Sequence, residues 1–420
     1  MRICFLSRRY FPAISGMSVY AKNMTKALVD RGHEIVMISQ YREDQKGIGV
    51  YGGGAPPDES WMEVVGLRSR GEECVSDNQP ADFEMDLHTM VETALRMHEI
   101  KPFDLVHAQY CYPNGLAALE ISRRLDIPNV VSIQGGDGHW VGLCCDTHKQ
   151  AMNAVLNHAM ALLIGCDSFA EEVCENHDIP KEHLTIIPGA TNTDKFRPVR
   201  EIGTLHQPVR LLYHGRVDSR KGSLDFVHAC KKVESQGYPI EIIISGIGPD
   251  FDETKELVRT LGLEHQAKFL GSIPYQDVPE VYGKGDIFVS PTYAEGFSNT
   301  ILEAMASGLP IISTNAIGVS DCLTHNVNAL LTEPGDIQAI AQAMIRLIED
   351  RELRTRISQA AYNEVISSYS WPVVAQRIEG IYKKVSEKPI TTSWQDAYNY
   401  SQTIQEADMS CRFRAEPHLL

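Results

Sequence analysis

The sequence predicts two doubly wound α/β domains, each a parallel sheet layered between helices. Three observations predict it. Short apolar runs alternate with helical patterns along nearly all of the 420 residues. The runs are almost continuously apolar rather than alternating, as a parallel strand covered on both faces requires. The pattern also starts twice. RICFLS opens the first half, followed by a Gly-containing loop and a helix, and RLLYHGR opens the second, followed by a turn and a helix.

In chain order, the strands expected in the first half are Ile3–Leu6, Ile35–Ile38, Met62–Val65, Asp104–His107, Val130–Ile133 and Leu184–Ile187. Those of the second are Arg210–His214, Ile240–Ser245, Lys268–Leu270, Ile287–Ser290 and Pro310–Ser313. Met17, Tyr20, Met24, Ala27 and Leu28 recur at helical spacing, as do Ile337, Ile340, Ala341, Met344 and Ile348, with Asp336 placed to cap the latter helix. Tyr41–Trp61 and Gly71–Asp82 read as long polar loops. The polar segment Phe196–Pro208 reads as the domain boundary, giving domains over 1–200 and 205–370. A last helix spans about 371–386 and is expected to complete the first domain, and 388–420 read as a peripheral tail.

Composition narrows the function classes. Lys and Arg number 39 against 55 Asp and Glu, a net charge of −16, so a nucleic-acid binder is not expected. Only the first 34 residues lean basic, through Arg2, Arg8, Arg9, Lys22, Lys26 and Arg31. A peripheral contact with an anionic membrane surface is kept as an expectation, but a solvated helix face is the plainer reading. The run Ile3–Leu6 is cut short by Arg8 and Arg9, so neither a signal peptide nor a membrane-spanning helix is expected, and the chain reads as cytoplasmic. The ten cysteines include no C-x-x-C pair and read as reduced thiols. Cys144, Cys145 and His148 match no zinc-ligand spacing, so a packing role is expected of them and no metal is called for.

The densest chemistry lies in Ser290–Thr314, SPTYAEGFSNTILEAMASGLPIIST. A strand ends, a loop carries Glu295, Gly296, Phe297, Ser298 and Asn299, and a helix begins near Thr300 and carries Glu303. Open α/β sheets bind ligands at the carboxyl ends of their strands, and the N–H groups of Ser298, Asn299, Thr300 and Ile301 at a helix start suit a phosphate. Glu295 and Glu303 beside an anion site make sense as acceptors for sugar and ribose hydroxyls. Alone, Glu295 would read as a helix cap and Glu303 as a residue on an exposed helix face. A second strand-turn-helix, HGRVDSRKG, puts Arg216 and Lys221 where they can clamp a diphosphate, Arg by a two-pronged fork and Lys as a point charge. In the loop after the first strand, Gly16 lets backbone approach a phosphate.

Taken together, these segments resemble glycosyltransferase family 4, the retaining nucleotide-sugar enzymes of the GT-B fold. Glu295-x7-Glu303 matches the family's E-x7-E motif, and HGRVDSRKG matches its phosphate-clamp segment. GIGP at Gly246–Pro249, FLGSIP at Phe269–Pro274, IIPGATNTDKFRP at Ile186–Pro198, RGHEIVMIS at Arg31–Ser39 and FDLVHAQ at Phe103–Gln109 fit the same family. The resemblance covers about residues 1–385 and implies two Rossmann-like domains facing a central cleft. The first would take a glycan or lipid-linked acceptor and the second a UDP- or GDP-sugar, without a metal or other cofactor. It implies that Arg216 and Lys221 neutralise the leaving diphosphate and that Glu295 holds the transferred sugar. It further implies that Glu303 accepts from the ribose, that Ser298 to Thr300 bind phosphate and sugar, that Ile273 lies against the base and that Gly16 meets the phosphates from the other domain. It also implies surface-polysaccharide or glycoconjugate synthesis at the inner face of the membrane.

One departure concerns the donor sugar. Where the family often has histidine, SIQGGDGHW places Gln134, which can donate a hydrogen bond but cannot act as acid or base near neutral pH. His139, nearby, reads as structural. Three rivals remain. A metal-dependent transferase would use Asp250-Phe251-Asp252 as a D-x-D pair, although these read as a helix cap and first-turn acid. A dinucleotide oxidoreductase is disfavoured because no G-x-G-x-x-G follows the first strand. A non-catalytic nucleotide-sugar-binding regulator is opposed by the intact Arg216, Lys221, Glu295 and Glu303.

Overall fold

The computed structural model describes residues 1–13, 15–51, 53–390, 393–397 and 411–417. The chain forms two compact units, Met1–Pro188 with Val374–Leu420, and Gly189–Val373. The first holds strands β1 (Arg2–Ser7), β2 (Glu34–Tyr41), β3 (Glu63–Arg68), β4 (Leu105–Gln109), β5 (Asn129–Ile133), β6 (Leu162–Ile164) and β7 (Leu184–Ile186). They form one sheet in the order β3-β2-β1-β4-β5-β6-β7. The second holds β8 (Val209–His214), β9 (Ile240–Ser245), β10 (Ala267–Gly271), β11 (Ile287–Val289), β12 (Ile311–Thr314) and β13 (Leu330–Thr332), in the order β10-β9-β8-β11-β12-β13. Every strand pairing in both sheets is parallel.

This is the predicted doubly wound fold. In each unit the chain winds outward over three strands, then returns beside the first strand and winds the other way. The reversal leaves a crevice between β1 and β4 in the first unit and between β8 and β11 in the second. In the first unit the central strands β1, β4 and β5 are buried along their length. The second core packs Leu211, Tyr213, Ile242 and Val289 of the sheet against Phe226, Val227, Ile340 and Met344 of the helices. Asp336 caps its helix as predicted, accepting from the Ala339 N–H at 2.9 Å.

Several expectations are corrected. The units divide at Pro188/Gly189, before the polar segment chosen as the boundary. Phe196 from that segment is fully buried in the second unit, edge-on to Tyr282 at 5.7 Å, so the segment cannot be a linker. The two polar loops contain helices, Gln45–Tyr51 in one and Arg70–Glu73 with a 3-10 turn Cys74–Asp77 in the other. Nor do the N-terminal cations form a free basic face. Arg2 pairs with Glu34, Arg8 and Arg9 with Glu72, Lys22 with Glu59, Lys26 with Asp30 and Arg31 with Glu379. Arg8 and Glu72 are buried. Burial alone would raise the Glu72 carboxyl, but Arg8 and Arg9 hold it below the usual range. Among the described residues no helix is long and apolar enough to cross a membrane.

Much of the presumed tail, including 398–410 and 418–420, lies outside the described residues. What is described packs inward. Trp394, Cys411, Phe413 and Arg414 are buried in the first unit, and Arg414 pairs with Glu84 at 2.9 Å.

Candidate active site

In the second unit, two loops leave the carboxyl ends of β8 and β11, the neighbouring strands at the reversal point. The loop after β8 is a tight turn. Asp218 accepts from the backbone N–H of Arg220 at 2.9 Å and from its guanidinium at 2.8 and 3.1 Å. Burial works against ionisation of Asp218, yet the hydrogen bonds from Arg220 keep its pKa below the ordinary value. Gly222 ends the turn with φ +69°, and a Cβ there would strike the Pro291 carbonyl. Glycine therefore lets the β8 loop lie directly on the β11 loop. The Tyr293 N–H completes the join, donating to the Arg220 carbonyl at 2.9 Å.

That join brings two predicted residues together. Lys221 Nζ lies 2.8 Å from Glu295 Oε2 and donates to the Ala294 carbonyl at 3.0 Å. Glu295 is fixed from its other side, its N–H donating to the Ile317 carbonyl at 2.9 Å. Gly318, at φ +75°, is packed so closely that a Cβ would overlap the Glu295 carbonyl. Arg216 stands at the start of the same turn, Nε 3.3 Å from Asp218 Oδ2, with 44% of its side chain exposed.

The helix expected near Thr300 begins one residue earlier, spanning Asn299–Ala306 with Ser298 as its N-cap. The Ser298 side chain makes no capping bond and instead lies 3.2 Å from the Thr300 hydroxyl. The Ser298 side chain therefore leaves the first-turn N–H groups uncapped, donors of the kind an anion site uses. Glu303 is not on an exposed helix face. It is 6% exposed, and the Tyr282 hydroxyl donates to its Oε2 at 2.8 Å. Burial raises the Glu303 carboxyl to about 8, with Tyr282's hydrogen bond opposing the rise. Tyr282 packs edge-on to His214 at 5.3 Å, and burial holds that imidazole down to about 4. Ile273 follows β10, at the same end of the sheet but two strands from β8, and is half-buried.

The two predicted residues of the first unit, Gly16 and Gln134, follow β1 and β5. Gln109, at the end of β4 between those strands, links their loops. Its amide donates to the Met17 carbonyl at 2.9 Å and to Gln134 Oε1 at 2.7 Å, and its oxygen accepts from Ser7 at 2.9 Å. Gln134 thereby turns its amide NH2 away from Gln109. Gly16 opens a helix capped by Ser15 and Ser18, and a Cβ on it would meet no atom within 4 Å. Asp137 shapes the Gln134 loop, accepting backbone N–H bonds from Cys111, Gln134 and Gly135 at 2.8–3.1 Å. His139 is structural, paired with Glu172 at 2.8 Å and packed on Phe169.

Tyr282, Asp218 and Gln109 escape the sequence reading. Asp218 and Gln109 lie inside quoted segments but were given no role there, and Tyr282 and Gln109 act through partners far away in sequence. Asp250 also departs from expectation. It sits at the N-cap position of Phe251–Thr260 but makes no capping bond; its Oδ2 accepts from the Ser219 N–H at 2.5 Å, bracing the turn that carries Lys221.

Two family models match the chain. One describes a glycosyl transferase 4-like domain and covers residues 15–190; the other describes glycosyl transferases group 1 and covers residues 197–364. An uncharacterized glycosyltransferase of Methanocaldococcus jannaschii is 25% identical over 92% of this chain and 99% of its own length. Among solved structures, sucrose-phosphate synthase from Thermosynechococcus elongatus aligns with a TM-score of 0.73 at 20% identity, covering 91% of this chain and 98% of its own. Anabaena HepE, solved with UDP and glucose, aligns with a TM-score of 0.71 at 19% identity, covering 91% and 100%.

Proposed function

The chain belongs to the family 4 type of glycosyltransferases, with the GT-B fold, and from that premise we propose that it transfers a sugar from a nucleoside-diphosphate sugar to a glycan or lipid-linked acceptor, with retention of anomeric configuration and without a metal. The observation that carries this reading is the Lys221–Glu295 pair, formed where the β8 and β11 loops meet. A cation for the diphosphate and a carboxylate for sugar hydroxyls are then in direct contact, beside a helix start that favours phosphate. HepE, whose structure holds UDP and glucose, supports a UDP-sugar as the donor class.

In this reading Arg216, Lys221 and the N–H groups of Ser298, Asn299 and Thr300 hold the diphosphate. Negative charge grows on it as the glycosidic bond breaks, so fixed donors stabilise the transition state more than the ground state. Glu303 accepts from the ribose hydroxyls, with Tyr282 fixing the carboxyl. Ile273 lies against the base. Glu295 orients the transferred sugar while holding Lys221 in place. Gln134 donates to the sugar through its amide, and Gly16 leaves room for the phosphates. The first unit takes the acceptor. Synthesis of surface polysaccharide or glycoconjugates in the cytoplasm, near the inner face of the membrane, is the setting this reading implies.

A panel of UDP- and GDP-sugars tests it, read by thermal shift and by sugar release. A donor at 100 times its dissociation constant should stabilise the chain by about 2.7 kcal/mol. Stabilisation without turnover, with every acceptor class tried, would instead support a binding protein.

A further inference from the structure

One side-chain cluster in the first unit has no part in the proposed chemistry. Cys144 and Cys145 precede and cap the helix Asp146–His158, and His148 lies in its first turn. Cys411 comes from the far end of the chain. The ligand atoms of these four residues all lie within 4.8 Å of one another. His148 Nδ1 is 3.1 Å from Cys144 Sγ and 3.5 Å from Cys411 Sγ. Its Nε2 is buried with no hydrogen-bond partner among the described residues, so the polar contacts of this ring are all made through Nδ1, toward sulfur. None of the three cysteines forms a disulfide.

We infer that Cys144, Cys145, His148 and Cys411 bind one zinc ion that fastens residues 411–417 to the first unit. Three sulfurs and one imidazole nitrogen are a closed tetrahedral donor set of the structural kind. Zn–S bonds of about 2.3 Å place tetrahedral ligands about 3.8 Å apart, which the cluster meets with small side-chain adjustments. The absence of oxygen ligands from this group disfavours magnesium, calcium and manganese. On binding, the three thiols release their protons to solvent and three Zn–S bonds form. The resulting site carries one net negative charge. The segment beyond Cys411 is already held by polar contacts, Arg414 to the Ala81 carbonyl at 2.9 Å and the Pro417 carbonyl to Arg8 at 2.8 Å, and the ion would add an anchor at Cys411. The sequence alone offers Cys144, Cys145 and His148 without a fourth ligand, which is why packing is the expected role there.

The test uses untagged full-length protein, expressed with added zinc and analysed for metal by mass spectrometry. About one zinc per chain is expected. Stripping with a mercurial and adding Co2+ should give the intense visible bands of tetrahedral cobalt bound by thiolate. Loss of a group that merely supports a ligand weakens metal sites about 10- to 100-fold, so Cys411→Ser, which removes a ligand, should lower zinc affinity at least that much. The same variant, or zinc removal, should expose the chain to trypsin after Arg414. Cys145→Ser is the second variant, should Cys411→Ser fold poorly. Wild-type protein without zinc that also fails to bind Co2+ overturns the inference. So does a disulfide joining Cys411 to Cys144 or Cys145, or iron in place of zinc.

Discussion

The Tyr282 hydroxyl donates to the Glu303 carboxyl inside the second unit, 2.8 Å apart with both groups buried. Glu303 is only 6% exposed, and burial raises its carboxyl to about 8. A ribose would bring hydroxyl donors to Glu303, and these favour the ionised form.

Nucleotide binding should therefore strengthen as pH rises from 6 toward about 8, because the free protein must lose the Glu303 proton to accept from ribose. Titration calorimetry in buffers of different ionisation enthalpy should detect proton release on UDP binding. Glu303→Gln should abolish that release and weaken binding. Stability runs the opposite way. The folded chain keeps a proton that the unfolded chain loses in the ordinary carboxylate range, so stability contributed here falls as pH rises from that range through about 8. An affinity for UDP that ignores pH, in wild type and Glu303→Gln alike, would remove Glu303 from the ribose site.

The basic residues should act mainly on turnover. Removing a group that stabilises developing charge typically costs about 100- to 1000-fold in kcat, and Arg216→Ala and Lys221→Ala should each fall in that range with smaller changes in KM. Lys221 and Glu295 touch each other. Lys221→Ala with Glu295→Ala should therefore lose less than the product of the single losses. Strict additivity in steady-state kinetics would mean that the two do not work as a pair.

All strands but β6 and β13 are legible in the sequence, because most strands leave a short apolar run. Leu162–Ile164 and Leu330–Thr332 are three-residue strands beside other apolar residues, Met160–Ala161 and Ala329, which blur their limits. Lys221 and Glu295 are legible as residues of two loops, but their contact depends on β8 and β11 being neighbours. Burial at Glu303 is hidden for a related reason. Its helix reads as amphipathic, and Tyr282, which covers the carboxyl, comes from a different helix. The boundary misreading has a simple cause. The polar composition of 196–208 masks Phe196, one aromatic ring that anchors the segment in the second unit.

Metal dependence separates the proposed mechanism from the D-x-D rival. After dialysis against EDTA, the transfer rate should not respond to added Mg2+ or Mn2+. Asp250→Ala should slow the enzyme by about tenfold at most, since its carboxylate braces the Ser219 N–H and the loss of such a bond costs on the order of 1 kcal/mol. Complete loss of transfer in Asp250→Ala, together with Mn2+ dependence in wild type, would restore the rival.

Gln134 predicts the shape of the pH–rate profile. An amide does not titrate, so no limb of the kcat profile should arise from this position. Gln109 holds the Gln134 oxygen and leaves its NH2 to another partner, so Gln134→Ala should lower kcat, and Gln109→Ala should lower it by less. Gln134→His should add a limb near about 6.5, the ordinary histidine range. If that variant shows the wild-type profile at full rate, position 134 does not contact the reacting sugar.

Glu72 should control the stability of the first unit. It is buried between Arg8 and Arg9, at 2.9 and 3.0 Å, and Arg8 also donates to the Pro417 carbonyl. Removing one member of a buried ion group typically costs about 3–5 kcal/mol, because the remaining charges stay desolvated. Glu72→Ala should lose stability of that order, and Glu72→Gln less, since an amide still accepts hydrogen bonds. Because the folded pKa of Glu72 is depressed, its contribution is fully present above the ordinary carboxylate range and is lost as pH falls through the lower, folded value. Native-state hydrogen exchange of the β1 amides measures this directly in the two-domain chain. Wild-type protection should fall in acid more steeply than that of Glu72→Ala. Equal protection in both proteins at neutral pH would show that Arg8 and Arg9 find other partners at no cost.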